Sequence, residues 1–201
     1  IALTDHGNMF GIKEMFNYMN KLGGKTRDKI KDAKARLAEA SPEDAPAIEA
    51  EIAKLEKKLA FKPIFGCEMY VALKSLHEQV DKRDTGRHLI VLAKNLKGYK
   101  NLIKIVSQGF TEGFYSHPRT DKYELAAHRE GLIVASACLG GEIPRLIQQG
   151  SLEEAERQVL WFKETFGDDY YIEIQRHATN APGGNREVYE IQQKVNPVLI
   201  E

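Results

Sequence analysis

Long apolar runs, a cysteine framework and a surplus of either charge are what this sequence lacks. No run of about 18 apolar residues occurs, so no helical membrane span is expected. The two cysteines, Cys67 and Cys138, lie far apart and read as free thiols of a reducing compartment, not as a disulfide framework. Lys plus Arg is 29 and Asp plus Glu is 29, which gives no argument for a nucleic-acid footprint across the whole chain, although a local basic groove stays open. No basic segment with a cleavage site leads the chain, and a cytoplasmic location is the expectation. Ile1 opens inside an apolar run and Glu201 follows Val198, Leu199 and Ile200, so both ends read as cuts within something longer.

What is present is a periodicity that changes along the chain. Residues 1–4 read as a short buried strand and residues 5–8 as a turn. Met9, Ile12, Met15, Phe16 and Met19 fall at helical spacing, and Gly23–Gly24 are expected to end that helix. Residues 25–60 are charge-dense. Ile30, Ala33, Leu37 and Ala40 mark one stripe, and Ile48, Ile52, Leu55 and Leu59 a second, with Ser41–Pro42 and Pro46 between them. This predicts an inserted αα-hairpin that packs on itself, in preference to an arm that grips a partner. Beyond it, strands are predicted at 63–71, 87–93, 132–136 and 170–174. Helices are predicted at 99–108, 142–149 and 152–166, and from 186 onward. That alternation predicts a parallel sheet or an α/β barrel.

In such folds chemistry gathers at the strand ends. There the sequence offers Asp5–His6, Cys67–Glu68, His88, Cys138, and Glu173 followed by Arg176–His177. His, Glu and Cys are ligand types for Zn²⁺ and similar metals. Each also has a plainer reading. Asp5 can cap the following helix, His6 can be a structural histidine, Glu68 can sit in a salt bridge, and Cys138 can be core. Cys67 points away from Glu68 and is assigned to packing. His77, His117 and His128 lie in polar, loop-like sequence and read as surface residues. Lys94, Lys97, Lys100 and Lys104 could touch phosphates, but a solvated helix face is favoured.

Whole segments resemble the PHP (polymerase and histidinol phosphatase) domain of bacterial DNA polymerase III alpha subunits. They include Ala2–Leu3–Thr4–Asp5–His6–Gly7–Asn8, Pro63–Ile64–Phe65–Gly66–Cys67–Glu68, and His88–Leu89–Ile90–Val91 with Tyr99–Lys100–Asn101–Leu102. Pro118–Arg119–Thr120–Asp121, Ala135–Ser136–Ala137–Cys138–Leu139–Gly140–Gly141 and Tyr171–Ile172–Glu173–Ile174 continue the series in the family's order. The resemblance implies an α/β fold: a distorted seven-stranded (β/α) barrel, here incomplete, with residues 1–201 as one domain fragment and 25–60 inserted. It implies a divalent metal cluster of Zn, Mn or Fe type, and the positions matching its ligand motifs are His6, Glu68, His88 and Cys138. The family's opening His-x-His and closing Asn-Asp-x-His are not in this sequence. No catalytic residue is assigned.

The parent implied is a DNA-directed DNA polymerase, a nucleotidyltransferase using Mg²⁺ in a separate domain. Its partners would be DNA, deoxynucleotides and other holoenzyme subunits. The PHP region would add 3′–5′ exonuclease chemistry, and this portion alone is expected to be inactive. A non-catalytic scaffold for replisome subunits is the alternative, and a stand-alone phosphoesterase a lesser one.

Overall fold

In Ile64–Val71 apolar side chains recur at every second position, Cys67, Met69 and Val71, with Glu68 and Tyr70 between them. That is the signature of a strand with one face in a core. The computed structural model describes residues 1–59, 62–78, 85–177 and 184–201. Its strands are β1 (Ala2–His6), β2 (Ile64–Val71), β3 (Arg87–Ala93), β4 (Phe114–Tyr115), β5 (His117–Thr120), β6 (Leu132–Ala135) and β7 (Tyr170–Tyr171). Its helices are α1 (Gly11–Ala38), α2 (Ala45–Leu59), α3 (Leu96–Thr111), α4 (Lys122–Ala127), α5 (Glu142–Gln148), α6 (Leu152–Phe166) and α7 (Arg186–Ile200). The chain divides into two compact units, residues 1–3 with 10–64 and residues 4–9 with 65–201.

The first unit is dominated by α1 and α2. Gly23 and Gly24 do not end the first helix as expected: α1 runs through both to Ala38. Glycine in a helix interior costs about 1 kcal/mol against alanine, and the good helix formers on either side offset it. Gly23 also lies close to α2, where an added Cβ would stand 3.7 Å from Leu59. Of the residues expected between the two helices, Ser41–Pro42 lie there and Pro46 does not. It sits in the first turn of α2, where its missing N–H is not needed. The turn before it is closed by Ser41, whose Oγ accepts from the Asp44 amide at 3.2 Å. Lys34–Glu56 at 2.9 Å and Arg36–Glu51 at 2.7 Å set the two helices antiparallel. Both pairs are exposed and each adds well under about 1 kcal/mol. Ala60, the expected end of the hairpin, lies outside the described residues.

The second unit is an open mixed sheet in the order β4–β5–β2–β3–β6–β7, with β1 also paired to β2, as in an incomplete barrel. Of the two architectures that the alternation suggested, the incomplete barrel holds, and the sheet is mixed instead of wholly parallel. β2–β3, β3–β6 and β4–β5 are antiparallel, while β2–β5 and β6–β7 are parallel. The reason is the link from β2 to β3. Its described residues contain no helix, and a parallel return needs a crossover.

Cys67, Met69, Leu89, Val91, Leu132 and Val134 face a core shared with Leu102 and Ile105 of α3 and Phe162 of α6. Truncating a fully buried member such as Leu102 to alanine costs about 2–5 kcal/mol. The helices start where capping residues stand: Asn95 accepts from the Gly98 amide and Asp121 from the Glu124 amide, both at 2.9 Å. The last predicted strand is shorter than expected and stops at Tyr171. Beyond it, side chains satisfy the backbone in place of a neighbouring strand. The Glu173 amide donates to Ser136 Oγ, Asn196 donates to the Gln175 carbonyl, and the His177 amide donates to Gln192 Oε1.

Candidate metal centre

β2 turns Glu68 and Tyr70 away from the core face that holds Cys67. The Gly7 amide donates to the Glu68 carbonyl at 2.8 Å, which fixes the end of β1 and brings His6 to the same side. Gly7 has φ +72, a left-handed turn that suits glycine. On the other flank the antiparallel register sets His88 opposite Tyr70 and Ile90 opposite Glu68. Asp5 lies within β1, and α1 begins at a capping position held by Phe10.

The fourth group comes from the loop between β6 and α5. Ala137 has φ +62, left-handed and uncommon for a residue with a Cβ, and the chain turns there into Cys138. The loop is then pinned at three points. The Gly140 amide donates to Cys138 Sγ at 3.3 Å, the Gly141 amide to the Cys138 carbonyl at 2.8 Å, and the His88 amide to the Gly140 carbonyl at 3.1 Å. Gly140 lies so close over the His88 ring that a Cβ there would stand 2.6 Å from Nδ1.

The result is a tight group of donors. His88 Nδ1 is 3.2 Å from Glu68 Oε1 and 3.2 Å from Cys138 Sγ, and Cys138 Sγ is 3.8 Å from Glu68 Oε1. A tetrahedral ion with bonds of about 2.0–2.3 Å has ligand-to-ligand separations of about 3.3–3.8 Å. The donors of Glu68, His88 and Cys138 therefore fit around one such ion. Among the described residues they are the one group of three or more His, Cys, Asp or Glu close enough to hold a metal. His6 stands beside this group, with Nδ1 2.9 Å from the second carboxylate oxygen, Glu68 Oε2, and its ring edge-on to His88 at 4.7 Å.

The electrostatics follow from the contacts. The hydrogen bond from His88, assisted by His6, pulls the Glu68 carboxyl down to about 2 against the cost of burial. The hydrogen bonds to Cys138 and Glu68 push His88 up to about 9, which favours a charged imidazole beside the ionised Glu68 at neutral pH. Cys67, on the opposite face, is fully buried, and burial pushes its thiol up to about 12. It is packing, as its place next to Glu68 on the strand implied.

Two side chains at the site escaped the sequence reading. Tyr70 packs edge-on to His6 and His88, at 4.7 and 5.4 Å between ring centroids. His117, expected in a surface loop, is on β5 and stacks on Tyr70 at 4.3 Å and 8°. Tyr70 was within reach of the period-two rule, two positions from Glu68. His117 was not, because the β2–β5 pairing that brings it there is long-range. His77 is exposed, and His128 ends α4, 3.6 Å from Glu124. Glu173 accepts a hydrogen bond from Gln175 instead of joining the centre. In the lysine cluster, Lys94 pairs with Asp169 at 2.8 Å and Lys97 with Glu130 at 3.7 Å, which leaves it a mixed-charge surface.

The PHP domain family matches residues 1–177 of this chain. Among curated proteins, DNA polymerase III subunit alpha of Borreliella burgdorferi is 42% identical over 179 residues, covering 88% of this chain and 12% of that protein. The same subunit of Thermus aquaticus is 38% identical over 206 residues, and that of Treponema pallidum 36% over 205. Each covers 100% of this chain and 13% of the relative. The chain thus spans about one eighth of the length of the relatives it matches.

Proposed function

Because the chain belongs to the PHP domain family, we propose that it is the PHP region of a DNA polymerase III alpha subunit and that it binds divalent metal for phosphodiester hydrolysis. The observation that carries the reading is the convergence of Glu68, His88 and Cys138, whose donor atoms lie within 4.8 Å of one another. A mixed carboxylate, imidazole and thiolate set suits Zn²⁺, and with the imidazole and carboxylate also Mn²⁺ or Fe²⁺. When bound, such an ion neutralises charge on a phosphoryl oxygen and acidifies water.

The protein's own groups divide the remaining work. Glu68, His88 and Cys138 are the holding groups. His6, the fourth member of the expected ligand set, meets the outer oxygen of Glu68 and stands ready to hold a further ion of the cluster. The turn at Ala137 and the amide of Gly140 aim the Cys138 sulfur. In a DNA polymerase this chemistry corresponds to removal of nucleotides from the 3′ end. Template-directed synthesis with Mg²⁺, and contacts to other holoenzyme subunits, belong to the remaining length of the parent in this proposal.

The test is metal content of the full-length protein by elemental mass spectrometry, beside Glu68→Ala and Cys138→Ala. The expected outcome is bound transition metal in the wild type and at least a tenfold loss in each variant, with release of 3′-labelled nucleotide from single-stranded DNA falling in parallel. A wild type without bound metal defeats the hydrolytic reading and favours the non-catalytic scaffold. Metal retained without nucleotide release points the same way.

A further inference from the structure

Three imidazoles surround one phenol ring. His6 and His88 meet Tyr70 edge-on, and His117 lies flat against it at 4.3 Å. Tyr70 is 9% exposed and has little freedom to move. A Cβ on Gly7 would stand 3.0 Å from its ring, and one on Gly86 2.7 Å from its own Cβ. His117 is fixed in turn by the β4–β5 hairpin, in which Tyr115 pairs with His117 around Ser116 at φ +62.

The three histidines differ in what their nitrogens do. His6 and His88 direct theirs at Glu68. His117, half-buried, has no hydrogen-bond partner for either ring nitrogen among the described residues, and its stack on Tyr70 is its ring contact. For packing alone, a phenyl ring would serve at this place without two polar atoms to hydrate. An imidazole held flat on the ring that also packs against His6 and His88, with its ring nitrogens open, offers one N–H as a preorganised donor for a phosphate oxygen.

We propose that His117 is a substrate-binding residue of this centre, which Tyr70 holds flat so that a ring N–H can donate to a non-bridging oxygen of a nucleotide phosphate. The inference rests on the phosphodiester reading above and adds to it a group that recognises the phosphate but does not hold the metal.

Thymidine 5′-monophosphate is the probe, titrated calorimetrically into the Mn²⁺-loaded full-length protein, and the binding that Glu68→Ala abolishes defines the share due to this centre. His117→Phe keeps the stack and removes the nitrogens, while His117→Gln keeps a donor. The Phe variant is expected to take up Mn²⁺ as the wild type does, to melt at the same temperature, and to bind the nucleotide about tenfold more weakly, as loss of one hydrogen bond to a charged group implies. The Gln variant is expected to recover to within about threefold of the wild type. Unchanged nucleotide affinity in His117→Phe overturns the inference while the metal site stands. Loss of Mn²⁺ in His117→Phe also overturns it, by making the residue a ligand. A wild type that takes up no metal removes the phosphodiester reading itself, and this inference with it.

Discussion

Glu68 and His88 stand on adjacent antiparallel strands, two register steps apart, and still meet at 3.2 Å between Oε1 and Nδ1. Each shifts the ionisation of the other in the direction that favours the charged pair.

A pH dependence of the metal-free protein follows from that pair. Glu68 is held at about 2 against an ordinary 4.5, so its contribution is complete above pH 4.5 and is lost as the pH falls toward 2. His88 is held at about 9 against an ordinary 6.5, so its contribution is complete below pH 6.5 and is lost as the pH rises through 9. The melting temperature of metal-free protein is expected to be flat from pH 4.5 to 6.5 and to decline on both sides. His88→Gln should abolish the alkaline decline. Parallel alkaline profiles for the variant and the wild type would contradict the assignment. Both side chains retain some contact with water, which screens the effect.

Gly140→Ala should damage the centre without touching a donor. The new Cβ meets the His88 ring at 2.6 Å, so either the loop or the ring must shift. A loss of about 1–3 kcal/mol is expected by denaturant unfolding, together with weaker metal uptake. Unaltered metal affinity would show that the loop yields freely.

The two thiols should differ in reactivity. Cys67 is fully buried with its thiol pushed up to about 12, whereas Cys138 is half-buried. Native metal-free protein is expected to lose one thiol to a disulfide reagent at once and the second only on unfolding. Peptide mapping should place the first at Cys138, and rapid labelling of Cys67 would argue against its place in the core.

Gly24→Ala tests the long first helix. Gly24 lies in the interior of α1, and an added Cβ would meet nothing within 4 Å. The change should stabilise the helix by about 0.5–1 kcal/mol. A destabilised variant would mean that the helix does not pass through this position as a regular one.

What was legible in the sequence depended on how local its cause was. α6 and β3 have the predicted bounds because the apolar periodicity is written within each segment. Gly23–Gly24 misled because propensity is a weak prior that neighbouring helix formers and α2 override. Of the expected parallel sheet or α/β barrel, the wholly parallel sheet did not hold because pairing direction is a property of the links, and the β2–β3 link carries no helix among its described residues. The four residues that the family's motifs pick out, His6, Glu68, His88 and Cys138, do come together. The contributions of Tyr70, His117 and Gly140 depend on contacts across strands and loops that no local pattern records.

The donors of the centre are joined by contacts spanning 62, 50 and 70 residues of chain. No short segment can assemble them before the sheet has formed, and long-range pairings form late because loop closure must be offset first. Metal uptake is therefore a clock for folding. In a refolding experiment the rate at which the ion is captured should match the slowest step of sheet assembly, and an ion in excess should slow unfolding more than it speeds folding.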